Sequence, residues 1–367
     1  MKSLISFIFF VLAEFIYGQN LTNRIPFYEN GMYGICDTNF TIIVPAKFSM
    51  TSTYEFGFSK VGLEQGHNTV YNFIDVNGKE LCTEYMSSLP GDFINGNAVI
   101  NRHGQSAIID TSGNLILPFK YVRANSFKEG LATVACGFWK WGVVNTNGEE
   151  IIPCIYDGIG YYFLEGINRV KQNGKWALIS KTGNVFTPFE FDEIGEQSFA
   201  SLTIYNGIIP AKRFGKWGYI NNIGEEIIPY YYCFASQFRN NYCVASIDSL
   251  FGMLNFKGDT VVPFVYEYID IMSDSIYPAM KNGKFGFINS RNETIIPFDY
   301  EYSEGFNEGL AFACKNRKCG FINYSNQIVI PFQFEEENYI KFWDGIALVN
   351  HEGTWCYIDK SGKIYKR

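Results

Sequence analysis

One pattern recurs about ten times between Tyr33 and the C-terminus, at intervals of 34–41 residues. Its clearest copy is Lys140-Trp141-Gly142-Val143-Val144-Asn145-Thr146-Asn147-Gly148-Glu149-Glu150-Ile151-Ile152-Pro153. A fixed period of this size restricts the chain to a repeat architecture, in which each copy must bury its apolar faces against its neighbours. Taking Trp141 as the anchor of its copy, the other anchors are Tyr33, Tyr71, Ser106, Trp176, Trp217, Phe251, Phe285, Cys319 and Trp355. Twelve residues past most anchors stands a proline, as at Pro45, Pro153 and Pro229, and three residues later an aromatic, as at Phe48, Tyr156 and Tyr232. The second copy carries Thr83 in place of the proline.

The spacing within each copy predicts its local structure. Four residues past the anchor is Asn, Asp or Ser, as at Asn145, Asp110 and Ser180. Seven past it is Gly, as at Gly148, or Asn, as at Asn292 and Asn326; Phe40 departs from the rule. An Asx side chain capping a turn, followed by a residue that tolerates positive φ, describes a short hairpin loop. The flanking runs, such as Tyr219-Ile220 and Ile227-Ile228, are β-branched and aromatic and predict strands. The proline is expected to end the second strand, since it has no N–H to donate. A third run, best seen at Phe127-Lys128-Glu129-Gly130-Leu131-Ala132-Thr133-Val134, precedes the anchor and joins it through a polar turn.

Each copy therefore predicts a three-stranded antiparallel meander with the anchor strand in the middle. That strand is apolar on both faces, so neighbouring copies must cover both. The small residue after the anchor, Gly142 or Gly218, is expected to admit a ring from the adjacent copy. No amphipathic helical pattern longer than two turns follows residue 20, which excludes helical repeats. About ten meanders exceed the usual four to eight blades of a propeller, so the expected fold is all-β, an open, curved, solenoid-like stack, with a β-propeller as the alternative.

The Lys-Trp-Gly core resembles the WG, or KWG, repeat family of bacterial proteins. The matching segments are Lys140-Trp141-Gly142, Gly174-Lys175-Trp176-Ala177, Gly215-Lys216-Trp217-Gly218 and Lys284-Phe285-Gly286, with Ile-Ile-Pro-x-x-Tyr-Asp intact from Ile151 to Asp157. The resemblance covers about nine-tenths of the chain and implies an all-β repeat protein; it implies little about activity, the family's role being unsettled. Ser106 and Cys319 at anchor positions, and the weak second copy, depart from the family pattern.

Residues 1–18 read as a secretory signal peptide: Lys2 is followed by an apolar run from Leu4 to Leu12, and Tyr17-Gly18 precedes Gln19. Residues 19–367 then form the repeat domain. An uncleaved anchor is the alternative, but the apolar run is shorter than the roughly 20 residues a span needs. No later segment is apolar enough to cross a membrane. A formal charge of −7 argues against nucleic acid, which requires a basic stripe.

Nine cysteines occupy several different template positions and read mostly as small buried hydrophobes. Cys314 and Cys319 flank a four-residue turn and could instead be joined across a hairpin. No CxxC motif or His-rich cluster suggests a metal. His67, His103 and His351 lie in different copies and form no catalytic grouping with Ser, Cys or Asp. The Asp75-Val76-Asn77-Gly78 and Asp110-Thr111-Ser112-Gly113 stretches lack the ligand set of a calcium loop and match the repeat turn. Repeated Glu-Gly pairs such as Glu129-Gly130 and Glu308-Gly309 read as bends, because a glycosidase needs two carboxylates particular to one site.

The sequence thus points to a non-catalytic scaffold without a cofactor. Its expected partner is a protein or peptide; a glycan is the second choice, and a hydrolase with a site built across repeats the third. Candidate contact residues are aromatics that fall off the template: Trp139, Trp343, Tyr161 and Tyr230, with Tyr162 and Tyr231 beside them. Export of the chain is expected to yield a product beginning at Gln19. N-terminal sequencing and intact-mass measurement check this, and a mature product that retains residues 1–18 overturns it.

Overall fold

The computed structural model describes residues 24–137, 140–195, 202–271, 275–336 and 340–365. Among these residues the chain forms 35 strands and no α-helix. The strands make ten small antiparallel sheets, none of them closed into a barrel. Two compact units are distinguished, Met1–Asn173 with Ser180–Asn184, and Gly174–Ile179 with Val185–Arg367. The sheet order follows chain order throughout, as a meander requires.

Three kinds of tight turn recur among the described residues. The hairpin between the first strand and the anchor strand closes through two residues that both have positive φ, as at Asn282 and Gly283 between Ile276–Lys281 and Lys284–Asn289. That geometry is the primed turn whose twist matches the twist of the strands it joins. A second two-residue turn of the same kind opens the first strand: Glu129 and Gly130 both have positive φ, between the paired residues Lys128 and Leu131. The Glu-Gly pairs are therefore bends. The third turn follows the anchor strand. Asn145 Oδ1 accepts hydrogen bonds from the backbone N–H groups of Asn147 (3.0 Å) and Glu149 (2.9 Å), and Gly148 takes φ of 76°. An Asx cap followed by a left-handed residue is how a three-residue hairpin loop closes.

The proline does not end its strand. The third strand of the sixth repeat runs Glu226–Tyr232, straight through Pro229. Trp217 pairs with Tyr232 and Tyr219 pairs with Ile228, so three residues of this strand face Gly218 alone. The proline sits in this bulge, where no ladder hydrogen bond is asked of it. The bulge also corrects the expectation for the small residue after the anchor. A Cβ on Gly218 would lie 2.6 Å from the Ile228 carbonyl oxygen and 2.9 Å from the Pro229 carbonyl carbon. The same relation holds at Gly142, Gly286 and Gly320, so the position is small because its own repeat's bulged backbone closes on it. No ring from an adjacent repeat enters.

Five of the ten sheets have a fourth strand of two residues, such as Phe234–Ala235 or Tyr302–Ser303, which pairs with the first strand of the repeat. Each arises just past the post-proline aromatic, so the end of one template copy completes the sheet of the next. In the second repeat, where the proline is missing, Asn72 replaces the glycine. Its side-chain amide donates to Cys82 O (2.8 Å) and accepts from Cys82 N (3.1 Å), tying the irregular segment to the anchor strand.

The core lies between successive repeats. Phe287, Ile296 and Tyr300 of the eighth repeat pack against Phe306, Ala311, Ala313 and Ile322 of the ninth. Phe312, Phe321 and Ile330 of the ninth pack in turn against Ala347, Val349 and Ile358 of the tenth. One face of each sheet is bulky, and the face that covers it carries small residues. The turn glycine closes the same seam: Gly258 stands over Ile228, and Gly362 over Ile330, of the repeat before. Where Asn replaces that glycine, the preceding tyrosine reaches it. Tyr266 Oη donates to Asn292 Oδ1, and Tyr300 Oη to Asn326 Oδ1, both at 2.6 Å.

Gly218→Ala is expected to destabilise the chain by about 1–3 kcal/mol, because backbone rather than a flexible side chain meets the new methyl. Urea and thermal unfolding midpoints read the effect; an unchanged midpoint would contradict the bulge as the reason for glycine.

Candidate binding surface

Most charged side chains near the anchor are engaged in structure. Lys140, the lysine of the Lys-Trp-Gly core, pairs with Asp157, whose other oxygen accepts the backbone N–H of Asn173 at 2.8 Å. Lys175 pairs with Asp192, which accepts the N–H of Gly215 at 2.8 Å. Each carboxylate thereby links its own anchor strand to a primed turn of the following repeat. Bonding to the lysine ammonium is the main cause that holds Asp157 and Asp192 below the usual carboxylate range. Glu301 is lowered too, first by the backbone N–H of Arg317. Carboxylates committed in this way are poorly suited to proton transfer. Among the described residues, no group of three or more His, Cys, Asp or Glu side chains is arranged to hold a metal ion.

The off-template aromatics fall in different places. Trp139 lies outside the described residues. Trp343 stands beside a primed turn, its backbone N–H and carbonyl paired with Ile346, and its ring is 71% exposed. Tyr161 is exposed in the first unit, and its carbonyl accepts a hydrogen bond from the Thr133 hydroxyl at 3.2 Å. Its ring meets Tyr162 edge-on, and Lys128 Nζ lies 5.3 Å from the Tyr162 ring centre. Tyr230 is half-buried, with Phe191 at 6.5 Å between ring centres. Desolvation is the main cause that pushes its phenol up to about 12, and Glu226 adds to it. Its neighbour in sequence, Tyr231, is exposed.

Sequence reasoning missed the most exposed large hydrophobic side chain among the described residues. Phe214 is 82% exposed and has φ of 52°, in a turn slot that Asn173 and Asn282 fill elsewhere. A bulky residue in the left-handed region is strained, and such strain concentrates at functional positions. The signal was present in the sequence: Arg213-Phe214-Gly215 stands where other copies read x-Asn-Gly. The Arg213 guanidinium lies 5.1 Å from the Phe214 ring centre and is bound to Glu190 at 2.8 Å. An exposed ring under a cation that is itself held by a carboxylate pairs an apolar with a charged group at this turn. Phe40 and Phe56 in the first unit repeat the feature, exposed and at φ of 63° and 50°.

The cysteines divide two ways. Cys314 and Cys319 are disulfide-bonded across the hairpin, with Cα atoms 4.0 Å apart and directly paired in register. A second disulfide joins Cys136 to Cys154. Reading the cysteines by template register passed over it, because the bulge around Pro153 brings Cys154 toward the end of the first strand. Cys36, Cys82, Cys233, Cys243 and Cys356 are free.

The described residues contain no helix long and apolar enough to cross a membrane. A family model described as WG containing repeat matches residues 107–137, 141–176, 217–251, 251–285, 285–319 and 320–355. A search of curated proteins returned no match to the chain. Among solved structures the chain is similar to BamB from Moraxella catarrhalis, at 12% identity and a TM-score of 0.34, covering 64% of this chain and 77% of that one. It is similar to a eukaryotic initiation factor at 10% identity and a TM-score of 0.45, covering 85% and 95%. The extracellular domain of a putative one component system from B. thetaiotaomicron aligns at 10% identity and a TM-score of 0.29, covering 95% and 65%.

The Asx turn of the tenth repeat carries a carboxylate rather than an amide. Hydrogen bonds from Ser361, Tyr365 and Lys363 lower the Asp359 carboxyl to about 2. A depressed acid contributes stability above its ordinary pKa, and that contribution is lost as pH falls from about 4 toward 2. Hydrogen exchange is therefore expected to show the turn around Gly362 losing protection in that window. Asp359→Asn, the residue most other copies use, is expected to keep protection there; equal loss in both proteins would count against it.

Proposed function

We propose, from the premise that this chain belongs to the family of WG containing repeat proteins, that it is a non-enzymatic extracytoplasmic scaffold that binds a protein or peptide. The observation that carries this reading is Phe214, a strained and exposed ring with the Arg213 guanidinium over it, in a turn where asparagine suffices elsewhere. A stability-driven sequence would replace it. Two disulfides support an oxidising compartment, as does the signal-like residues 1–18. The commitment of Asp157, Asp192 and Glu301 to structural contacts supports binding over catalysis. A glycan is the second reading, favoured by the open face of Trp343, onto which a sugar ring could stack.

Phe214→Asn separates binding from stability. Relief of the left-handed strain is expected to stabilise the chain by about 1 kcal/mol. Capture of the partner from the native cell envelope is expected to fall at the same time. Trp343→Ala tested against soluble oligosaccharides addresses the glycan reading. Higher stability with an unchanged capture profile would remove Phe214 from the surface and leave the scaffold reading without its main support.

A further inference from the structure

The tenth repeat leaves uncovered a face that other repeats of its unit bury. Across the ninth repeat, Phe312 pairs with Phe321 and Phe321 with Ile330, and all three are buried by the tenth. The corresponding pairs in the seventh repeat, Val244 with Met253 and Met253 with Val262, are buried as well. In the tenth, Leu348 pairs with Tyr357 and Tyr357 with Tyr365. Leu348 is 41% exposed and Tyr357 37%, with Ile346 and Trp355 exposed beside them. A contiguous apolar patch of this kind marks an interaction surface.

The fold itself says what covers such a face. Within a unit it is the small-residue face of another repeat: Ala311 and Ala313 with Ile322 on the ninth, Ala347 and Val349 with Ile358 on the tenth. By register the same positions in the first repeat are Ile25 and Phe27 with Cys36, since Arg24 pairs with Asp37 as Ile208 does with Asn221. Ile25 and Phe27 are half-buried, whereas Ile209 and Ala211 at the matching places are fully buried. The chain thus carries both halves of one interface, a bulky face on the tenth repeat and a covering face on the first.

We infer that two copies of this chain associate head to tail, the first repeat of one molecule covering Leu348, Tyr357 and Tyr365 on the tenth repeat of the other. The contact continues the repeat-to-repeat packing already present within each unit. It is heterologous, so it adds copies until geometry closes a ring or extends a filament. It does not depend on the proposed binding function and leaves Phe214 untouched.

The test is sedimentation velocity on the exported chain over a concentration series, in a Cys233→Ser background that removes the exposed free thiol. The parent chain is expected to grow in size with concentration. Leu348→Lys with Tyr357→Lys is expected to weaken self-association at least about tenfold, because a lysine would enter a desolvated seam. Ile25→Glu blocks the other end and is chosen over Phe27, whose ring packs on Gly34. Each blocked protein alone is expected to stay monomeric. Mixed together they are expected to form a one-to-one dimer, since each keeps the end the other lacks. A parent chain that is monomeric at the highest attainable concentration overturns the inference. So does association that survives both sets of substitutions, or a mixture that stays monomeric. Circular dichroism confirms folding, and Leu348→Ser with Tyr357→Ser replaces any lysine variant that fails it.

Discussion

Everything in this protein depends on one contact, the seam between successive repeats. A small sheet of three or four short strands cannot stand alone, because its middle strand is apolar on both faces. Burying a side chain such as Phe321 or Phe287 is worth about 1.5–3 kcal/mol, and each is buried in a cluster that its own repeat shares with the next. Small residues on the covering face let the sheets approach. The turn glycines, or asparagines held by Tyr266 and Tyr300, seat the edge of the seam. Stability is therefore a nearest-neighbour property, passed from repeat to repeat.

The pattern that keeps the seam also sorts the surface. Positions fixed by the seam or the bulge tolerate little change: Gly218 has backbone against it, and Tyr219 is fully buried. In the fourth and fifth repeats the anchor lysine, Lys140 or Lys175, and the carboxylate after the post-proline aromatic are tied to each other and to a turn of the following repeat. What remains free is the outward side of the turns, and there the repeats differ: Asn173, Phe214 and Asn282 occupy one slot in three copies. The interior is constant from repeat to repeat and the turns vary. The strain at Phe214 is then the cost of placing a ring where geometry asks for asparagine.

The two disulfides follow the same logic. Cys314 and Cys319 face each other because the primed turn at Asn316 and Arg317 sets their strands in direct register. Cys136 and Cys154 meet because the bulge around Pro153 shifts the third strand. One pairing was legible from loop length. The other required a distortion in three dimensions that no spacing reports.

Periodicity by itself determined the number of repeats, the strands flanking Asn145 and Gly148, the exclusion of helices, and the turn character of the Glu-Gly pairs. These are legible because local backbone preference dictates them: positive φ selects Gly and Asn, and an apolar strand demands cover on both faces. Only the tertiary structure decided that Pro229 lies within its strand, that Gly218 is small because of its own repeat, and that two residues such as Phe234 and Ala235 form a fourth strand. A bulge is a relation between two strands, and a two-residue strand is too short to show a period. Exposure of Phe214, burial of Tyr230 and the open face at Leu348 and Tyr357 were likewise hidden. Exposure depends on which neighbour is present, and that is decided by packing rather than by the residue itself.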